Sequence, residues 1–217
     1  AQPEPVEGRA QRANPMTPSK PAFTRAEPDA RRLSLIEACA RVLAREGAAG
    51  TSVRAIALEA GVSPGLVGHY FAGVDALVAE TYAHVEAQVS AAIDAALEAS
   101  GSDPRARLEA FVTASFAPPI ASGELLTTWI AFWSLVRTRA EIARQHDEQY
   151  AAFRARLEYL LRACGLPADR LRPAAIGITA LVDGLWLELC LSPQAFSADE
   201  AGAIARAALD VLTSTGR

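Results

Sequence analysis

The run from Gly50 to Leu77, GTSVRAIALEAGVSPGLVGHYFAGVDAL, constrains the chain more than any other stretch. Ser52 is placed to N-cap a short helix, its hydroxyl accepting from a free N–H of the first turn. Ile56, Ala57 and Ala60 then recur at helical spacing and are small enough to let a second helix approach. Gly61 follows, where a left-handed residue ends a helix without a Cβ clash. Val62 offers an apolar anchor, Ser63 a second N-cap, and Pro64 sits at a first helical position, where its missing N–H costs nothing. Val67 and Phe71, four apart, give an inward stripe, leaving Leu66, His69 and Tyr70 on other faces. Two short capped helices about a glycine turn predict a helix-turn-helix, whose second helix enters the DNA major groove. A buried αα-hairpin of a larger helical protein is the plainer alternative. The agreement of caps, turn, stripe and spacing favours the reader.

Composition sets the fold class. Hydrophobic residues make up 51% of the 217, largely alanine and leucine, and no sustained alternating β-branched run occurs. An all-α chain is therefore expected. It divides into a tail over residues 1–28, a three-helix head over 29–73 carrying the helix-turn-helix, and a helical body over 74–217 for ligand binding and dimerisation. The tail is rich in Pro, Ala, Glu and Arg and too poor in large apolar residues to offset its ordering entropy. In the first helix Leu33, Ile36, Ala40 and Leu43 are expected inward, with Gly47 at its end. The run through IGITALVDGLWLELCL is apolar almost all round, so a second copy of the chain is expected to cover one face. The last helix, with Ile204, Ala207, Ala208, Val211 and Leu212, completes an isologous four-helix homodimer interface through the last two helices.

Charge and cysteine usage narrow the function classes. A net charge of −4 argues against nonspecific coating of nucleic acid, but not against a reader with segregated charge. Arg25, Arg31, Arg32, Arg41, Arg45 and Arg54 cluster in or beside the head. Cys39, Cys164 and Cys190 are isolated in apolar contexts and read as reduced cysteines of a cytoplasmic protein. No apolar run reaches the length of a membrane span. A helical enzyme is the rival class, as is an interaction module without DNA binding. The three histidines, His69, His84 and His146, form no catalytic or metal signature, so no catalytic residues, metal or cofactor are expected. Glu80 and His84 are four apart, but a lone pair lacks the further ligands of a di-metal bundle, and His84 is expected to pack or line a pocket.

The body carries a second pattern. Trp129, Phe132 and Trp133 share one helix and Trp186 lies on another, with Glu124, Asp183 and Glu188 nearby. Aromatic faces attract quaternary ammonium groups, and a carboxylate adds charge complementarity. Simple aromatic packing in an alanine-rich core explains the same residues. The charged stretch from Arg137 to Glu148 is expected to be a solvated face with pairs such as Arg144–Glu148.

The helix from Arg31 to Glu46, then TSVRAIALEAGVS, GLVGHYF and a new helix near Val74, resembles the TetR family of transcriptional regulators. That resemblance implies DNA-facing roles for Arg54, Ser63, Pro64, Gly65, Leu66, Gly68, His69 and Tyr70. Val74 departs from the pattern, since the family usually carries a phosphate-contacting Lys there, and Gly68 replaces a position that is often aromatic. TTWIAFWSL and ALVDGLWLELCLS resemble the BetI branch, whose members repress choline-to-betaine genes. The resemblance implies a homodimeric repressor of a palindromic double-stranded operator, released by a small-molecule effector such as a choline-like cation held by Trp129, Phe132, Trp133, Asp183 and Trp186.

Overall fold

The computed structural model describes residues 26–192 and 194–214, so the tail expected over residues 1–28 lies outside the described residues as far as residue 25. Its last three residues instead open the first helix, α1 (Ala26–Gly50), which breaks direction at Gly47 (φ 67°). The described residues form nine α-helices and a 3₁₀ turn, with no strand. In the head, α1 is followed by α2 (Val53–Glu59) and α3 (Pro64–Tyr70), joined through Gly61 at φ 65°. Val62 N donates to Ala57 O at 2.9 Å, closing the turn. Ile56, Ala57, Val67 and Phe71 are buried in the same core as Leu35, Cys39 and Val42 of α1. Leu33, expected inward, is 41% exposed, because the buried face runs through Leu35, Ile36, Ala38, Cys39, Val42 and Leu43.

The body is hung on α4 (Val74–Ala99), which begins at Gly73 directly after the head. Leu77, Tyr82, Val85, Ile93 and Leu97 along it are buried in one continuous core that runs from head to body. Around it pack α5 (Pro104–Thr113), α6 (Gly123–Val136), α7 (Ala140–Ala163), α8 (Ala168–Leu191) and α9 (Ala198–Thr213). The caps are local. Ser122 Oγ accepts from Leu125 N at 3.2 Å, and Ser197 with Glu200 forms a reciprocal capping box on α9.

Two outward faces matter. On α8, Ile176, Ala180, Leu187 and Leu191 are exposed, as are Ile204, Ala207 and Val211 on α9. Leu212 and Ala208, expected on the same interface, are half-buried instead, Leu212 against the core. The charged stretch at the start of α7 is a solvated face, where Arg144 pairs with both Glu141 and Glu148. No helix among the described residues is long and apolar enough to cross a membrane.

Candidate nucleic-acid interface and effector cavity

The helix-turn-helix presents α3 on its hydrophobic back. Val67 is fully buried, while Ser63, Pro64, Gly65, Gly68 and His69 are exposed and Leu66 and Tyr70 are half-buried. Arg54 on α2 is also exposed, so all eight residues implied by the resemblance reach the surface of one motif. Ser52 caps α2 by accepting from Ala55 N at 3.2 Å. Ser63 differs from expectation: it occupies the N-cap position of α3, yet its hydroxyl makes no capping bond. That hydroxyl stays available to an outside acceptor or donor. His69 and Tyr70 pack edge to face with centroids 5.3 Å apart, which orients both rings along the helix end.

Head electrostatics are narrower than the arginine count implied. Arg41 donates to Glu59 at 2.7 Å and Arg45 at 2.9 Å, and the two arginines hold the Glu59 carboxyl below its ordinary range. Arg32 is engaged by Glu80 on α4. Pairing with Glu59 in the head and Glu80 on α4 thus engages three of the head arginines, and Arg25 lies outside the described residues. Among the described residues Arg31 and Arg54 are exposed and join no ion pair. Val74 packs against the core and borders a cleft between head and body, where Asp75 pairs with Arg139 at 2.6 Å.

In the body a cavity lies between α4, α6, α7 and α8, walled by Val89, Ile93, Trp129, Gln149, Tyr150, Phe153, Thr179, Val182, Asp183 and Trp186. Its volume is about 70 Å³. That is several times the roughly 10–15 Å³ needed to hold a single water, so a compact ligand fits. Trp129 and Trp186 meet edge to face at 6.4 Å, and the Trp186 indole N–H donates to Ser115 O at 2.6 Å. The Tyr150 hydroxyl donates to Asp183 Oδ1 at 3.1 Å, and Tyr82 donates to Gln149 Oε1 at 2.5 Å. Burial pushes the Asp183 carboxyl up to about 6, partly opposed by the Tyr150 hydrogen bond. Burial, with Asp183 beside it, raises the Tyr150 hydroxyl as well. His146, one turn before Tyr150, stacks on its ring at 4.2 Å and is lowered by burial.

The five expected ligand residues separate here. Trp129, Asp183 and Trp186 wall the cavity. Phe132 stands behind it, fully buried, 6.1 Å from Trp129 and 4.9 Å from Tyr82. Trp133 is half-buried and does not line the space, although its indole lies close enough to Tyr150 to act on that hydroxyl. Glu124 and Glu188 are exposed, so Asp183 is the acid of the cavity wall. Gln149, Tyr150 and Phe153 escaped the sequence reading. The signal was Tyr150 and Phe153, three apart on an otherwise charged helix. His84 neither lines this cavity nor packs in the core, but pairs with exposed Gln88 at 3.0 Å. Among the described residues no group of three His, Cys, Asp or Glu side chains comes together. Cys39 is buried and raised to about 11, Cys164 is half-buried, and the side chain of Cys190 lies outside the described residues.

Comparison with known proteins adds an independent line. The family model for bacterial regulatory proteins of the tetR family matches residues 35–81, and the model for the C-terminal part of BetI-type transcriptional repressors matches residues 104–214. The HTH-type transcriptional regulator BetI of Paraburkholderia xenovorans is 34% identical over 186 residues, covering 85% of this chain and 94% of its own. That of Burkholderia thailandensis is 36% identical over 183 residues, covering 84% and 93%. A crystal structure of a transcriptional regulator from Pseudomonas aeruginosa PAO1 superposes with a TM-score of 0.80 at 41% identity, covering 88% of this chain and 93% of that one. A regulator from Saccharomonospora viridis, crystallised in complex with choline, shares the fold with a TM-score of 0.73 at 19% identity, covering 84% and 96%.

Proposed function

The chain belongs to the TetR family, in its BetI-type branch, and from that premise we propose that it is a homodimeric transcriptional repressor whose operator binding a small organic cation relieves. The observation that carries this reading is the course of α4. It starts at Val74 after a three-residue link from the end of α3, meets α1 of the head through Glu80 and Arg32, and supplies Val89 and Ile93 to the cavity wall. A ligand that spreads the cavity therefore pushes on the helix that sets the head's angle. Thermodynamically, release requires the effector to bind the non-reading arrangement more tightly than the reading one.

Residues 29–73 act as the reader in this proposal, and 74–217 as sensor and dimer body. Arg54, Ser63, Pro64, Gly65, Leu66, Gly68, His69 and Tyr70 form the surface laid on DNA. The exposed faces of α8 and α9, with Ile176, Leu187, Leu191, Ile204 and Val211, meet their copies about a two-fold axis. Large apolar side chains so aligned on two neighbouring helices are what such a contact needs. Two readers held about 34–36 Å apart, or a multiple, match a palindrome.

The effector class follows from the cavity's chemistry. Two indoles, a phenol and a buried carboxylate suit a compact cation of choline's size, with Asp183 supplying the charge and Trp129 and Trp186 the π faces. Choline bound to the S. viridis regulator is consistent with this class. Fluorescence anisotropy with labelled duplexes from the chain's own locus, with and without choline chloride, tests the proposal. Binding that choline weakens supports it; a folded dimer that ignores every such duplex at low salt refutes it.

A further inference from the structure

Arg32 of α1 is one of the head arginines, and its guanidinium is engaged on every side by the protein's own groups. Nη1 donates to Tyr70 O at 2.9 Å, Nε donates to Glu80 Oε2 at 3.0 Å, and Nη2 donates to Glu80 Oε1. The same group lies over the Phe71 ring, 4.5 Å from its centroid. Tyr70 O is one of the last-turn carbonyls of α3 that lack a partner within a regular helix. Glu80 stands in the second turn of α4. One side chain thus joins the end of α3 to the start of α4. The covalent link between them sets no angle by itself: Phe71 is extended, and Gly73 sits at φ 124°, outside any helix.

We propose that Arg32 is a positioning residue for DNA reading: its fork clamps α3 to α4, so that the angle of the reading surface follows α4. The inference rests on the proposed reading role of α3. Planarity is essential, because one guanidinium must meet a carboxylate bidentately, reach a backbone carbonyl and cover an aromatic face at once. Lysine offers a point charge and cannot do all three.

The test turns on signs. Affinity for duplexes of the chain's own locus is measured by anisotropy between about 50 and 200 mM salt, where phosphate contacts dominate the slope. If Arg32 served as a phosphate contact restrained by Glu80, Glu80→Gln would free it, remove a negative charge and tighten binding. The clamp predicts the reverse, a loss of about fivefold in Glu80→Gln, as expected of a half-exposed ion pair. Arg32→Gln is expected to lose about tenfold with its salt slope unchanged, whereas removal of a phosphate contact would lower that slope by about 0.9. Arg32→Lys is expected to stay as weak as Arg32→Gln. Thermal melts establish that each variant folds; should Arg32→Gln not fold, the sign in the near-isosteric Glu80→Gln decides. Unchanged or tighter binding by Glu80→Gln, a reduced slope in Arg32→Gln, or full affinity in Arg32→Lys overturns the clamp alone. Failure of the wild-type dimer to bind DNA removes the reading on which it stands, and the clamp with it.

Discussion

Replacing Asp183 by Asn separates ligand recognition from stability, with opposite signs. A monovalent cation about 5 Å from the carboxylate gains about 3 kcal/mol at an effective dielectric near 20. Dehydration of both partners leaves a net of about 1.4–2.7 kcal/mol, or roughly 10–100-fold in Kd. Asp183→Asn should weaken choline by that factor in calorimetry or in quenching of Trp129 and Trp186. Burial holds the wild-type carboxyl at about 6 against an ordinary 3.8. Because the folded value is raised, the stability linked to this group is complete below about 3.8 and is lost as pH climbs through about 6. Above pH 7 the ionised carboxylate therefore costs the empty protein on the order of 2–3 kcal/mol. Asn keeps an acceptor for the Tyr150 hydroxyl without the charge, so the ligand-free Tm at pH 7.5 should rise by about 4–12 °C. Wild-type choline affinity should fall about tenfold between pH 7 and pH 5 as Asp183 takes up its proton. His146, kept neutral by burial near pH 7, adds in the same direction only at the acid end. Asp183→Asn with unchanged choline affinity, or with a lowered Tm, would refute the reasoning.

Three further outcomes follow from the geometry. His69→Ala removes an exposed ring from the end of α3 and should cut operator affinity tenfold or more while Tm moves by only about 1–2 °C. Val67→Ala, on the fully buried back of the same helix, should instead lower stability by about 2–3 kcal/mol, read in a denaturant titration. Leu187→Glu with Ile204→Glu should shift sedimentation to a monomer and abolish operator binding; a dimer of unchanged mass would place the interface elsewhere.

Helix bounds were legible wherever glycine and capping residues punctuate the chain. Gly73 and Gly101 at positive φ bracket α4, and Ser122 and Ser197 cap α6 and α9 through their side chains. Faces were less legible. Leu33 turns out and Leu212 turns in, because an alanine-rich helix carries a weak apolar stripe and neighbouring helices decide its rotation. Charge was read too simply, since sequence counts arginines but not their partners: Glu59 engages Arg41 and Arg45, and Glu80 engages Arg32. In the cavity, tryptophan and Asp183 were visible because they are rare residues in apolar runs. Tyr150 and Gln149 were hidden in the charged repeat of α7, and only the packing of α7 on α8 brings Tyr150 to Asp183.

The most direct measurement of the central claim is a hydroxyl-radical footprint of the dimer on DNA from its own locus, repeated with choline chloride. Two patches on one face of the duplex, centred about 34–36 Å or a multiple apart, that fade together as choline is added, are expected. A single patch, protection that follows no helical repeat, or a footprint indifferent to choline at saturating concentration would contradict a two-fold reader governed from the cavity.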